Sequence, residues 1–144
     1  MGIEDIVLDS SVIVADAAKE RFQGWAETSI KNAERVHILD LAYYEVVNAL
    51  NTYYRRDLMN TKAYVETVRK ALDFLNTCQL HEYSEALESA IRIGLETNVP
   101  IYDSAYISLA QKLRCKLLTV DLALYAKLSA FPDIQKILLV PTNN

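Results

Sequence analysis

Residues 6–15 read Ile-Val-Leu-Asp-Ser-Ser-Val-Ile-Val-Ala. Ile6 to Leu8 is a short apolar run of the kind that forms a buried strand. Asp9-Ser10-Ser11 then opens a helix from about Val12, because Asp and Ser oxygens satisfy the amides that a first helical turn leaves free. The unit recurs twice. Val99 to Tyr102, a very short strand broken by Pro100, runs into Asp103, and Lys116 to Val120 runs into Asp121. Strands that feed directly into helices predict a parallel sheet covered by helices on both faces. In such a sheet the carboxyl ends of the strands line one crevice. Asp9, Asp103 and Asp121 are therefore expected to share it.

The remaining elements fit the same alternation. Arg21 to Ala33 is helical, with Trp25 and Ile30 facing the core, and Val36 to Leu39 is a strand. Asp40 is placed to cap the helix from Leu41 to about Arg56. Asn60 to about Asn76 is amphipathic, with Tyr64, Val68, Ala71, Leu72 and Leu75 on one face. Ser84, as N-cap, starts a helix to about Glu96, and another runs from Asp103 to about Leu113. A helix from Leu122 to about Ala130 is stopped by Pro132, and Ile137 to Val140 is a last strand. The expected fold is α/β, a three-layer α/β/α sandwich with a central parallel sheet of four to five strands, in one domain over residues 1–144.

The 144 residues suffice for one core without staples. With 51% hydrophobic and 24% charged residues, the composition does not suggest disorder. No apolar run approaches the roughly 20 residues that cross a bilayer, and Met1 to Asp9 carries acids where a secretory leader carries Lys or Arg. A cytoplasmic protein with no membrane partner is expected. Three glycines and no Gly-rich loop exclude the common phosphate cradles. Cys78 and Cys115 read as free thiols, and His37 and His81 as isolated, so neither a zinc site nor a Cys-His nucleophile is expected.

Glu45 completes the pattern. It is the only charged residue between Leu41 and Tyr54. With Asn48 and Thr52 it forms a polar stripe beside the apolar stripe of Ala42, Val46, Ala49 and Tyr53. Each aspartate alone reads as a helix cap, and Glu45 alone as a solvated residue. Together they make an all-oxygen site suited to Mg²⁺ or Mn²⁺. Like charges about 4 Å apart repel by roughly 1–4 kcal/mol per pair. Four gathered carboxylates must therefore hold a cation or partly protonate. A cation in an open site activates water and orients a phosphodiester without a side-chain nucleophile, while Ser10, Ser11 and Thr119 steady the carboxylates. The formal charge of −4 argues against a nucleic-acid partner. If four acids hold metal, however, 15 acids remain against 15 bases.

The strings LDSSVIVA, AYYEVVNAL, VPIYDSAYISLA and LLTVDLAL resemble, in order and spacing, the four motifs of the PIN domain, a family of small metal-dependent ribonucleases. The resemblance covers nearly the whole chain, and its compact form is most similar to the VapC-type toxins of toxin–antitoxin pairs. It implies that Asp9, Glu45, Asp103 and Asp121 are the acidic quartet, catalytic and metal-binding. It implies supporting positions at Asn48, Ser10 and Thr119, a metal-activated water, an RNA substrate and a small antitoxin partner. After Asp121, many relatives carry a basic or polar pair where this chain has Leu122 and Ala123. A housekeeping RNA-processing nuclease without an antitoxin is the alternative within the family.

Outside the family, a receiver domain needs an acidic pair after its first strand and a Lys after its last, and a haloacid-dehalogenase-like phosphatase needs D-x-D where this chain has Asp9-Ser10-Ser11. A non-catalytic binding module with acids only as caps is the other class. Arg55 and Arg56 end the Glu45 helix, as favourable charges or as phosphate contacts. Lys112, Arg114 and Lys116 read as a solvated loop. The nine tyrosines suggest core, base-stacking and subunit-contact roles, and a homodimer is expected.

Overall fold

The computed structural model describes residues 5–142; the leader reading at Met1 to Glu4 lies outside them. Five strands form one parallel sheet in the order β3-β2-β1-β4-β5. They are β1 (Asp5–Leu8), β2 (Arg35–Leu39), β3 (Gln79–His81), β4 (Lys116–Leu118) and β5 (Leu138–Leu139). Every pairing is parallel, with Val7 opposite His37 on one side and Leu117 on the other. The α/β sandwich expected from the alternation is the observed fold.

Between β1 and β2 lie α1 (Ser10–Ala17) and α2 (Gln23–Asn32). Between β2 and β3 lie α3 (Leu41–Arg55) and α4 (Thr61–Leu75). These two crossovers step one way along the sheet, so right-handed connections put all four helices on one face. They pack on one another, α1 touching α2, α3 and α4. The chain then reverses direction. A 3-10 turn (Tyr83–Glu85), α5 (Leu87–Thr97) and α6 (Ile101–Leu113) lead across to β4, and α7 (Leu122–Lys127) and the short α8 (Pro132–Gln135) lead to β5. α5 and α6 pack closely at Gly94, where an added Cβ would sit 3.3 Å from Ser104 Oγ.

The reversal falls between β1 and β4, which are neighbours. Connections leave these two strands in opposite directions, so their carboxyl ends open a crevice. The core on both faces holds the fully buried Ile6, Leu8, Ile38, Leu39, Leu50, Leu75, Ile107, Leu109, Leu117 and Leu118. Among the described residues no helix is long and apolar enough to cross a membrane.

Five local expectations change. Val99 to Tyr102 is not a strand. Asn98 closes α5 in the left-handed region (φ 58), and Pro100, with no N–H for a ladder, serves as N-cap of α6. The fifth strand is β3, whose Gln79 and His81 give it no apolar signature. Asp40 makes no side-chain cap to α3; its Oδ2 accepts instead from the Tyr83 amide, 3.2 Å away. The 3-10 turn is closed by a box between Glu82 and Glu85, not by Ser84. The histidines are not isolated either: adjacent strands bring His37 and His81 to 3.0 Å.

Candidate active site

The crevice collects acids from four separate stretches. Asp9 ends β1 and caps α1, where its Oδ1 accepts from the amides of Ser11 (3.0 Å) and Val12 (3.4 Å) and from the Ser11 hydroxyl. It is buried, at 5% exposure. Ser11 Oγ also accepts from the Val120 amide (3.1 Å) and lies 3.3 Å from Thr119 Oγ1, which accepts from the Asp121 amide (3.1 Å). This chain of hydroxyls ties the end of β1 to the end of β4. Asp121 caps α7 through the Leu124 amide at 3.0 Å.

Asp103 and Glu45 are not caps. Asp103 lies in the first turn of α6, where no side-chain cap bond forms. Glu45, half-buried in the second turn of α3, accepts from the Tyr106 hydroxyl at 2.6 Å. Tyr106 is one turn beyond Asp103 on α6 and almost fully buried. It is the site residue that sequence reasoning passed over. Its signal was its place within YDSAYISLA, three residues after an acid, but an aromatic at helical spacing reads first as core.

Electrostatics links all four acids. Burial pushes the Asp9 carboxyl up to about 6; hydrogen bonds from Ser11, Thr119 and Val12 oppose the rise, and the Asp103 charge adds to it. Asp103 is also pushed up to about 6, first by burial, then by the charges of Asp121 and Glu45, with Lys127 opposing. The favourable field of a helix N-terminus does not outweigh those effects. Burial, then the charge of Glu45 and its hydrogen bond, drive the Tyr106 phenol far above the usual tyrosine range.

The donors are oxygens only, and the excess negative charge would be relieved by a hard cation. Among the described residues no three or more His, Cys, Asp or Glu side chains are arranged as a ready cage. That matches magnesium's habit of binding through one or two carboxylates and keeping several waters.

The other expected contributors are placed differently. Ser10 faces the Tyr106 phenol and slightly opposes its rise, while Ser11 joins Asp9 to Thr119. Asn48 is exposed, one turn outward from Glu45. Arg55 and Arg56 follow Glu45 by ten and eleven positions, about 15 Å along the helix. Lys112 lies 3.9 Å from Glu85 in the 3-10 turn, and Arg114 and Lys116 lie at the amino end of β4. Arg114 and Lys116 line a cavity there of about 650 Å³ that includes none of the four acids. Beside the acidic crevice is a smaller apolar cleft of about 220 Å³, walled by Leu41, Tyr83, Tyr102 and Ala105 among others.

The PIN domain model matches residues 6–128. The chain belongs to the PIN domain family. It is 36% identical to Ribonuclease VapC3 of Pyrobaculum aerophilum, over 87% of this chain and 95% of that one. It is 27% identical to Exonuclease VapC9 of the same organism, over 94% of each. A solved Pyrobaculum aerophilum structure, 25% identical, superposes with a TM-score of 0.67 over 93% of this chain and 89% of that one. A toxin–antitoxin complex from Klebsiella pneumoniae supplies a chain with TM-score 0.69, 14% identical, covering 96% and 99%; at that identity it speaks for the PIN fold alone.

Proposed function

We propose that the protein is an endoribonuclease that hydrolyses RNA phosphodiesters with Mg²⁺ or Mn²⁺, and that it is the toxin of a toxin–antitoxin pair, restrained by a small antitoxin protein. The observation that carries the reading is the gathering of Asp9, Glu45 and Asp121 around Asp103 at the switch point of the sheet, close enough for their charges to act on one another through it. The substantial identity to a protein named as a ribonuclease supports RNA as substrate.

In this reading one or two of the four carboxylates would bind the cation directly and the others would face it through its waters. A bound Mg²⁺ or Mn²⁺ supplies Lewis acidity and a water that ionises near neutral pH. Ser11 and Thr119 keep Asp9 and the start of α7 in place, and Tyr106 fixes Glu45. Asn48 borders the site, and Arg55 and Arg56 meet phosphates farther along the strand. The protein works as a cytoplasmic two-fold homodimer without a membrane partner.

The non-catalytic alternative draws on Asp9 and Asp121, which do cap helices. It leaves unexplained why Asp103 and Glu45, which cap nothing, lie within reach of those charges. The test is cleavage of single-stranded RNA by the purified protein. Activity should require Mn²⁺ or Mg²⁺, stop with EDTA and vanish in Asp9→Asn and in Asp103→Asn. Cleavage undiminished by chelator would overturn the metal reading. Inhibition by the product of a small neighbouring reading frame separates a toxin from a housekeeping nuclease.

A further inference from the structure

His37 on β2 and His81 on β3 meet head-on. His37 Nδ1 is 3.0 Å from His81 Nε2, and the ring centroids are 5.2 Å apart. That separation is nearly the nitrogen gap plus a ring radius at each end, so both nitrogens lie close to the line between ring centres. This is the geometry of a linear N–H···N hydrogen bond. Two lone pairs converging on a metal would meet at an angle instead.

The outer nitrogens are engaged too. His37 Nε2 is 2.9 Å from Asp5 Oδ1, and His81 Nδ1 is 3.2 Å from Glu85 Oε1. Asp5, His37, His81 and Glu85 thus form a row across β1, β2, β3 and the 3-10 turn. Three contacts hold it, and each needs one proton. The end groups bring none. Arg35, then His37, hold the Asp5 carboxyl below its usual range, and His81, then the Glu82 amide, do the same for Glu85. An ionised carboxylate only accepts. Two neutral imidazoles bring one proton each. The third must come from solvent.

We propose that this row is a proton-operated clasp: taking up one proton fastens the edge strand β3 and the turn after it to the sheet, and losing it frees them. β3 has three residues and, among the described residues, pairs on one side only. Glu85 also closes the turn, its Oε2 accepting from the Glu82 amide at 2.8 Å. The turn carries Tyr83, a wall of the apolar cleft beside the acidic crevice. Releasing the clasp therefore loosens that wall. The clasp does not depend on the nuclease reading.

Charged and titratable groups face the row from each element packed on it. Arg35, from β2, pairs with Asp5, and Lys112, from α6, lies 3.9 Å from Glu85. Glu82, in the turn itself, donates its amide to Glu85 Oε2. Cys115, just before β4, is a neutral thiol, pushed up to about 11 by burial and then by Asp5. Because the folded row binds the added proton, its fastening is complete at low pH and lost as pH rises.

The test is amide hydrogen exchange on the full metal-free chain at pH 6 and pH 8, each amide corrected for its intrinsic rate. Glu82 and Tyr83 should be protected at least about tenfold more at pH 6, the worth of one hydrogen bond to a charged group. Ala26 in α2 serves as the reference amide for global opening. In His81→Gln, where the amide can donate but does not titrate, the pH dependence should vanish. A variant that keeps the wild-type dependence, or a wild type that shows none, would overturn the clasp. Nitrogen-15 spectra of the wild-type imidazoles give a second readout that needs no variant. Three ring protons on the pair at pH 6 support the clasp, and two at that pH refute it.

Discussion

The Tyr106 phenol and the Glu45 carboxylate, 61 positions apart in the chain, are joined by a 2.6 Å hydrogen bond that ties α6 to α3 across the crevice. A bond to an ionised acceptor contributes about 1.5–3 kcal/mol, and Glu45 can partly rehydrate, so the low end applies. Tyr106→Phe keeps the buried volume. It should fold, lose about 1.5 kcal/mol by urea denaturation, and lower kcat for RNA cleavage by about tenfold or more as Glu45 loses its fixed position. An unchanged kcat would show that Tyr106 serves only the core.

Arg55 and Arg56, exposed at the end of α3, stand too far from Glu45 to touch the phosphate being cleaved. If they hold phosphates along the strand, Arg55→Ala/Arg56→Ala should weaken RNA binding and reduce the slope of log K against log salt by about 1.4, for two single-strand phosphates. The metal-induced rise in melting temperature should not change. An unaltered salt slope would leave these arginines with only their helix-end role.

The outer face of α5 exposes Leu87, Ile91 and Leu95, the last at 83%. These residues recur at helical spacing, and such a stripe is costly to leave in water. Sedimentation at micromolar concentration should give twice the 16.3 kDa chain mass, and Ile91→Glu should shift it to the monomer. A wild type that sediments as monomer at that concentration would remove the homodimer.

Much of this was legible in the chain because strand, acid and helix start are adjacent residues. Asp9 and Asp121 follow their strands and cap the helices after them, as the residues around them predict. Asp103 reaches the crevice without the strand that the sequence predicts before it: Pro100 reads as an interrupted strand, but the backbone only turns from the left-handed Asn98 into α6. Glu45 was legible as an acid in an apolar helix. Its partner Tyr106 was not, because a buried aromatic announces packing before hydrogen bonding. β3 and the His37–His81 contact share one cause. Three mostly polar residues carry no strand pattern, and pairing over 44 positions depends on topology that local spacing does not encode.

Asp103 provides the sharpest separation of a cation site from a set of caps. Its folded carboxyl stands at about 6 against an ordinary 3.8. An acid raised in this way favours the protonated fold. The stability contribution is fully present below about pH 4 and is lost as pH rises through 6. At neutral pH the ionised form therefore strains the metal-free protein, by roughly 3 kcal/mol as a ceiling. Partial exposure reduces this to about 1–2 kcal/mol. Asp103→Asn removes that strain and gives up about 0.3–1 kcal/mol of charge at a helix N-terminus. In EDTA at pH 7 the variant should be as stable as wild type or more so, and the difference should shrink as pH falls towards 4. Saturating Mn²⁺ should reverse the order, because a ligand at about 100 times its Kd adds roughly 2.7 kcal/mol to the wild type. The variant, missing one donor, should gain much less. Thermal melts of both proteins, with EDTA and with Mn²⁺ at pH 4.5 and 7, test each step. Equal Mn²⁺-induced shifts in the two proteins would show that Asp103 does not face the cation.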